Sequence, residues 1–159
     1  MPKVFVSYSQ DTPEHGERVL ALTQALRSDG VDATSDHFVT APEQGWARWM
    51  VDELAAADFV LLVVSEGYRK KAEDQVPRGV GRGVKWESHL SLQEIYEADA
   101  RNTKFIPILL EGIGDAEIPA VLRAWTWYRV PDGYEALLRR LFDAPKVKPA
   151  PLGPAKKFD

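Results

Sequence analysis

The chain has 159 residues, enough for one domain with a buried core, and its 45% hydrophobic and 28% charged residues are ordinary for a globular protein. A formal net charge of -4 argues against non-specific nucleic-acid binding, which needs a basic surface. Cysteine is absent, which excludes disulfides, thiol catalysis and cysteine-ligated zinc. With three histidines on different elements and no apolar run of membrane-spanning length, we expect a cytoplasmic protein without metal, cofactor or membrane segment.

Residues 4–64 alternate predicted strands and helices. Phe59 to Val64 is a continuous apolar run, which is typical of a strand covered on both faces. Apolar periodicity and end signals predict two strands and two helices before it. These are strands Val4–Val6 and Val31–Asp36, a helix that Thr12-Pro13-Glu14 opens and Asp29-Gly30 ends, and a helix near Trp46–Ala57 with Trp46, Met50 and Leu54 at helical spacing.

The remaining elements continue the same alternation. We expect a long loop at Arg69–Lys85, a helix at Trp86–Ala100, and a strand at Lys104–Leu110 that is irregular on one side at Pro107. A helix at Ile118–Trp125, a strand at Thr126–Val130 and a helix at Tyr134–Phe142 complete the domain, 1–143. Four prolines and several lysines without apolar periodicity predict a tail or linker over 144–159.

This element order predicts an α/β fold. Five strands with intervening helices require crossovers, and therefore a doubly wound parallel sheet with helices on both faces. The flavodoxin-like strand order 2-1-3-4-5 places the apolar strand Phe59–Val64 at the centre. In such sheets ligands bind beyond the carboxyl ends of the strands, here near Ser7, Tyr8, Ser9, Ser65 and Tyr68.

Two motifs invite a chemical interpretation. The glycines of Gly79–Gly83 lack the strand before them and the Lys-Ser/Thr after them that a phosphate loop needs, so a plain loop is favoured. Glu87 and Glu94 share one face of the predicted helix Trp86–Ala100. Beside an aromatic-walled crevice such a carboxylate can bind a ribose hydroxyl and stabilise an oxocarbenium-like centre, whereas periodicity alone favours a solvated helix face.

Several segments, taken together and in this order, resemble one family. Phe5-Val6-Ser7-Tyr8-Ser9 is similar to the first signature box of TIR domains and the related SEFIR domains, and Asp58–Tyr68 resembles their third strand. Gly83–Glu87, Gln93–Tyr96 and Phe105–Ile108 resemble the helix and strand that follow. The Trp86-Glu87 opening resembles bacterial SEFIR sequences in particular.

The resemblance implies the flavodoxin-like fold and one of two functions. Some members, many in bacterial and antiviral defence, cleave NAD+ at the nicotinamide–ribose bond, whereas others are adaptors that recruit similar domains. In the enzymes an essential glutamate commonly lies four residues after a Trp, but the residue four after Trp86 is Leu90. Counting back from the strand that contains Pro107 places Glu94 at the catalytic position, with Glu87 as second choice.

The resemblance also implies a substrate site and a mode of assembly. Ser7, Tyr8, Ser9, Ser65 and Tyr68 lie at the crevice. Asp36 belongs to a loop, Asp36–Gly45, which in the family closes the site or docks a neighbour. Trp46 and Trp86 are candidates to stack on adenine or nicotinamide, or else anchor their helices in the core. Self-association through this loop is expected to be head-to-tail and to build filaments.

We therefore expect an NAD+ hydrolase that takes NAD+ as substrate and is activated by self-association. The alternative is a non-enzymatic adaptor. A response regulator would need an acidic cluster after the first strand and an Asp after the third, where this chain has Ser7-Tyr8-Ser9 and Ser65. A flavin carrier would be coloured when purified.

Overall fold

The computed structural model describes residues 1–72 and 102–159. A five-stranded sheet contains β1 (Lys3–Tyr8), β2 (Asp32–Thr34), β3 (Phe59–Val63), β4 (Phe105–Leu110) and β5 (Tyr128–Val130). Four helices accompany it: α1 (Pro13–Ser28), α2 (Trp46–Ala56), α3 (Glu66–Ala72) and α4 (Tyr134–Leu141). The predicted helix Trp86–Ala100, with Trp86, Glu87 and Glu94, lies outside the described residues, as do the glycines 79–83.

The sheet has the predicted order, β2-β1-β3-β4-β5, and every neighbouring pair of strands is parallel. The expected flavodoxin-like α/β fold is confirmed. Pairing of β4 with β5 begins at Ile108, immediately after Pro107, which agrees with the irregularity expected there. Because β1 lies between β2 and β3, the end of β1 contacts the loops that follow both neighbours.

Side chains of the central strands alternate between two buried layers. Leu61 and Val63 of β3 pack on the side of α1 and α4, in a cluster with Val19, Leu26 and Leu137. Val60, Leu62 and Val64 pack on the opposite side with α2, α3 and the segment before β5. All five of these β3-run residues are at most 1% exposed, because helices cover both faces of a parallel sheet.

The structure corrects three local predictions. Ile118–Trp125 is not an α-helix: two short 3-10 turns, Asp115–Glu117 and Ala120–Leu122, flank the buried Ile118 and Pro119. Ile118 precedes a proline, which disfavours helical backbone at Ile118, and Ile118 and Pro119 are both extended; burial of Ile118 and Leu122 holds the segment in place. Residues 69–72, predicted as loop, are the end of α3. The strand expected at Val31–Asp36 ends at Thr34, where a 3-10 turn at Asp36–Phe38 follows.

The apolar face of α2 also differs from the one predicted. Trp49, not Trp46, enters the core: it is 6% exposed and meets the Phe5 ring edge-on at 5.6 Å between centroids. Trp46 is 43% exposed and contacts Trp49 at 5.5 Å between ring centroids.

Residues 144–159 follow the last helix and are exposed throughout. That they form a tail or linker outside the domain 1–143 stays a prediction. Within the described ranges, no helix is both long and apolar enough to cross a membrane.

The two tryptophans of α2 provide a test of this packing. Trp49→Ala should lower the free energy of unfolding by about 3–5 kcal/mol, because it leaves a cavity against Phe5. Trp46→Ala should lower it by less than about 1 kcal/mol, since much of that side chain already faces solvent. Urea unfolding of both variants measures the difference, and equal losses would contradict the assignment of Trp49 to the core.

Candidate functional site

A groove opens at the carboxyl ends of β1 and β2, beside the first turn of α2. It has a volume of about 510 Å³ and is lined by Tyr8, Gln10, Asp36, His37, Trp46 and Met50. We call it the strand-end groove. Its volume lies in the range of small-molecule sites, about 300–1,000 Å³. Its position beyond the strand ends is that of ligand sites in open α/β sheets.

Local sequence explains how the chain forms this groove. The Ser35 hydroxyl accepts a hydrogen bond from the His37 amide at 3.3 Å and so caps the 3-10 turn Asp36–Phe38. That turn places Asp36 and His37 next to the end of β1. Gly45 precedes α2 with a φ of 85°, a backbone conformation that favours glycine, and α2 then begins with Trp46 at the groove.

Hydrogen bonds hold the polar side of the groove in place. The Tyr8 hydroxyl donates to Asp36 Oδ1 at 2.8 Å and lies 3.2 Å from His37 Nε2, with the Tyr8 and His37 rings stacked at 5.1 Å between centroids. Ser35 Oγ lies 2.8 Å from His37 Nδ1. The Tyr8 hydroxyl uses its one hydrogen to donate to Asp36, so it can only accept from His37 Nε2. The His37 tautomer with its proton on Nε2 therefore satisfies the contacts with both Tyr8 and Ser35.

A second polar cluster lies where β1 and β3 end, and we call it the α3 anchor. Asp11 Oδ2 accepts from the Gly67 amide at 2.9 Å, and Ser65 Oγ accepts from the Tyr68 amide at 3.2 Å, so both side chains cap the start of α3. One turn later Lys71 donates to Ser9 Oγ at 2.8 Å. The loop after β1 thus binds α3 at both ends of its first turn.

The α3 anchor changes the acidity of two groups. Burial tends to raise the pKa of Asp11, but hydrogen bonds from Gly67, Ser9 and Ser65, together with nearby His15, outweigh it and lower the pKa below its usual value. His15, 6% exposed, has a lowered pKa because burial disfavours its charged form; Asp11 opposes this effect and Arg18 adds to it. Within the described part of the chain, His15 Nε2 has no hydrogen-bond partner.

The structure brings together some of the residues that the sequence singled out. Tyr8, Asp36 and Trp46 share the strand-end groove, as a common substrate site requires. Ser9 and Ser65 belong instead to the α3 anchor. Ser7 and Tyr68 are each 1% exposed and are not among the lining residues of the groove. The substrate-binding roles of all these residues, and of Trp86, stay predictions, as do the catalytic roles of Glu94 and Glu87.

Sequence reasoning missed several residues of both clusters. Gln10, His37 and Met50 line the strand-end groove, and Asp11 and Lys71 form the α3 anchor. One signal was available for His37, because it follows β2 directly, and the carboxyl ends of neighbouring parallel strands meet at one edge of a sheet. Among the described residues, no group of three or more His, Cys, Asp or Glu side chains could hold a metal ion.

Comparison with known proteins identifies the family. The model of the SEFIR domain matches residues 2–141. The chain belongs to the SEFIR domain family. This result confirms the predicted membership of the TIR-like superfamily on the SEFIR side. No protein of curated function matches the sequence.

Solved structures agree with this SEFIR assignment. A prokaryotic SEFIR domain is 27% identical with a TM-score of 0.70, over 96% of this chain and 100% of that one. The SEFIR domain of IL-17 receptor B has a TM-score of 0.67 at 16% identity, over 90% and 96% of the two chains. The TIR domain of the Toll-related receptor TRR-2 from Hydra magnipapillata has a TM-score of 0.59 at 20% identity, over 90% and 97%. The last two likenesses concern the fold alone.

Gly67→Ala tests the α3 anchor. A Cβ at position 67 would overlap the Asp11 carboxylate, so the variant should lose the Asp11–Gly67 hydrogen bond and about 1–2 kcal/mol of stability. Gly16→Ala is the matched control, since nothing lies within 4 Å of its Cβ position and Ala favours the helix α1 by about 0.5–1 kcal/mol. Thermal unfolding that shows no loss for Gly67→Ala would contradict the anchor.

The buried His15 predicts a dependence of stability on pH. Its folded pKa is lowered from 6.5, so below about pH 6.5 the unfolded chain binds a proton that the folded chain does not, and stability falls. His15→Leu has no proton to bind, so its stability should fall less between about pH 7 and pH 5. Urea unfolding at both pH values compares the two proteins, and equal decreases would contradict a neutral, buried His15.

Proposed function

We propose that this SEFIR domain is an NAD+ hydrolase that self-association activates. The observation that carries the proposal is the strand-end groove, which combines a fixed carboxylate at Asp36 with an exposed indole at Trp46 in a volume of about 510 Å³. A nucleoside has the complementary features, because its ribose hydroxyls donate hydrogen bonds and its base or pyridine ring stacks on aromatic side chains.

The reaction is hydrolysis of the bond between nicotinamide and ribose. NAD+ and water give nicotinamide, ADP-ribose and a proton; attack by an adenine nitrogen in place of water would give the cyclic product. Positive charge develops at the anomeric carbon as the bond breaks, and a carboxylate close to that carbon stabilises it. We assign this role to Glu94, with Glu87 as second choice, from the resemblance to enzymatic relatives. The reaction needs no metal and no cofactor.

Self-association is the second part of the proposal. The loop Asp36–Gly45 begins in the groove at Asp36 and ends next to Trp46, so a neighbour that contacts the loop also affects the groove. Phe38 in this loop is 43% exposed. A head-to-tail contact uses different surfaces on the two copies and builds an open filament unless its rotation closes. Bacterial defence signalling in the cytoplasm, an expectation from the resemblance, is the setting in which such activation would operate.

The adaptor function is the second candidate, and the exposed Phe38 favours it. Aromatic side chains are enriched in the cores of protein–protein interfaces, so Phe38 is a candidate for such a contact. An adaptor would assemble through this loop without consuming NAD+. Both functions therefore require assembly through the loop, and only the hydrolase also releases nicotinamide.

NAD+ consumption by the assembled protein tests the proposal. The wild type, at high concentration with a crowding agent, is compared with Glu94→Ala, Glu87→Ala and the control Glu97→Ala from the same predicted helix. We expect wild type and Glu97→Ala to release nicotinamide, and Glu94→Ala to be slower by at least about 100-fold, because the transition-state charge loses its partner.

Light scattering of the same samples separates inactivity from failure to assemble. Loss of activity in Glu87→Ala alone would move the catalytic role to Glu87. Assembled wild-type protein that leaves NAD+ intact, under conditions in which an enzymatic relative consumes it, would contradict the hydrolase and favour the adaptor.

A further inference from the structure

The charges of the strand-end groove indicate which part of a dinucleotide it can bind. Among its described lining residues there is one carboxylate, Asp36, and neither lysine nor arginine; His37 also lines it, with Nδ1 at 3.6 Å from Asp36 Oδ1. A pyrophosphate placed there would face the Asp36 carboxylate with no lysine or arginine among these residues to offset the repulsion. A cationic ring would face an opposite charge and an aromatic surface.

The Asp36 carboxylate is oriented before any ligand arrives. Its Oδ1 accepts the Tyr8 hydroxyl at 2.8 Å, whereas Oδ2 has a contact with Gln10 Nε2 at the long distance of 3.5 Å. The side chain is 25% exposed. One carboxylate oxygen is thus fixed and the other can meet a ligand without rearrangement, which reduces the entropy lost on binding.

Trp46 supplies the second half of a cation site. Trp49 supports its indole edge-on from the core, while 43% of Trp46 stays exposed. Tryptophan is the side chain that attracts a cation most strongly through its ring face. Met50, one helical turn further along α2, adds a polarisable thioether to the same groove.

We propose that the strand-end groove binds the positively charged nicotinamide ring of a pyridinium nucleoside between Asp36 and Trp46, and leaves the pyrophosphate outside. This inference rests on the proposed function and extends it, because it sets the direction in which the dinucleotide lies. Asp36 and Trp46 then determine specificity for the cationic ring, and the carboxylate assigned to catalysis acts at the ribose.

The reaction itself changes the charge that the groove recognises. When the bond between ribose and nicotinamide breaks, its electron pair stays on the ring nitrogen, and the pyridinium becomes neutral nicotinamide. The attraction to Asp36 is therefore strongest in the substrate and weakens toward the transition state. An interaction of this kind lowers KM without raising kcat, and it favours release of the neutral product.

A pair of ligands tests the inference without turnover. 1-Methylnicotinamide carries the pyridinium charge, whereas nicotinamide has nearly the same shape and none. We expect the wild-type chain to bind the cation about tenfold more tightly, measured by calorimetric titration. Asp36→Asn keeps an oxygen to accept the Tyr8 hydroxyl and removes the charge, so it should reduce the preference to the smaller part that Trp46 supplies. Asp52→Asn is the control, since that exposed carboxylate bonds to Arg48 at 3.2 Å and does not line the groove.

The kinetic readout is a split between KM and kcat. Asp36→Asn should raise KM for NAD+ about tenfold without lowering kcat, because the transition state shares less of the lost attraction, whereas a variant that merely unfolds the groove would lower kcat as well. Equal binding of cation and neutral ligand by the wild type, or a preference that is undiminished in Asp36→Asn, would overturn the inference, even if NAD+ is consumed. A preference that is reduced in Asp36→Asn and kept in Asp52→Asn would support it, even if NAD+ is left intact and the hydrolase proposal fails.

Discussion

The position of β1 between β2 and β3 is the constraint on which both polar clusters at the strand ends depend. Because β1 pairs with β2 on one side and β3 on the other, the residues at its end contact the segments that follow both strands. The Tyr8 hydroxyl donates a hydrogen bond to Asp36, which follows β2. Ser9 accepts from Lys71, and Asp11 accepts from the Gly67 amide, both in α3, which follows β3. Four consecutive positions, 8–11, therefore connect the strand-end groove to the α3 anchor.

Strong, local patterns made the fold predictable. The apolar run ending at Val64 required cover on both faces, and the crossover rules for parallel strands then left few topologies. The secondary-structure predictions were wrong where contacts between residues distant in sequence determine the local structure. The start of α3 is capped by the local Ser65 and also by Asp11, which lies 56 residues earlier in the chain, so a local window contains only part of its signal. The segment Ile118–Trp125 was predicted as a helix, but Ile118 stands before a proline, and Ile118 and Pro119 are extended between two 3-10 turns.

Strand ends also made part of the candidate site predictable. Tyr8 and Asp36 follow neighbouring strands, and Trp46 opens the next helix, so their meeting follows from the topology. The phase of α2 could not be predicted. Trp46, Met50 and Leu54 form an apolar stripe that was assigned to the core, yet only Leu54 is buried there, and Trp49 takes the core position. Gly45 and Trp49 fix this rotation through backbone geometry and contact with Phe5, neither of which periodicity encodes.

The hydrogen bonds of Asp36 have a consequence for how the groove can act. A carboxylate that is 25% exposed has lost part of its hydration, and the Tyr8 hydroxyl replaces only part of it. A ligand cation would complete the replacement, so its binding would be favoured by a polar group that folding has left incompletely satisfied. The same carboxylate opposes any anion, and the Trp46 indole beside it attracts a cation more than a neutral ring. In the proposed hydrolysis the bound ring changes from a cation to a neutral molecule, so the groove would hold the substrate more tightly than the product.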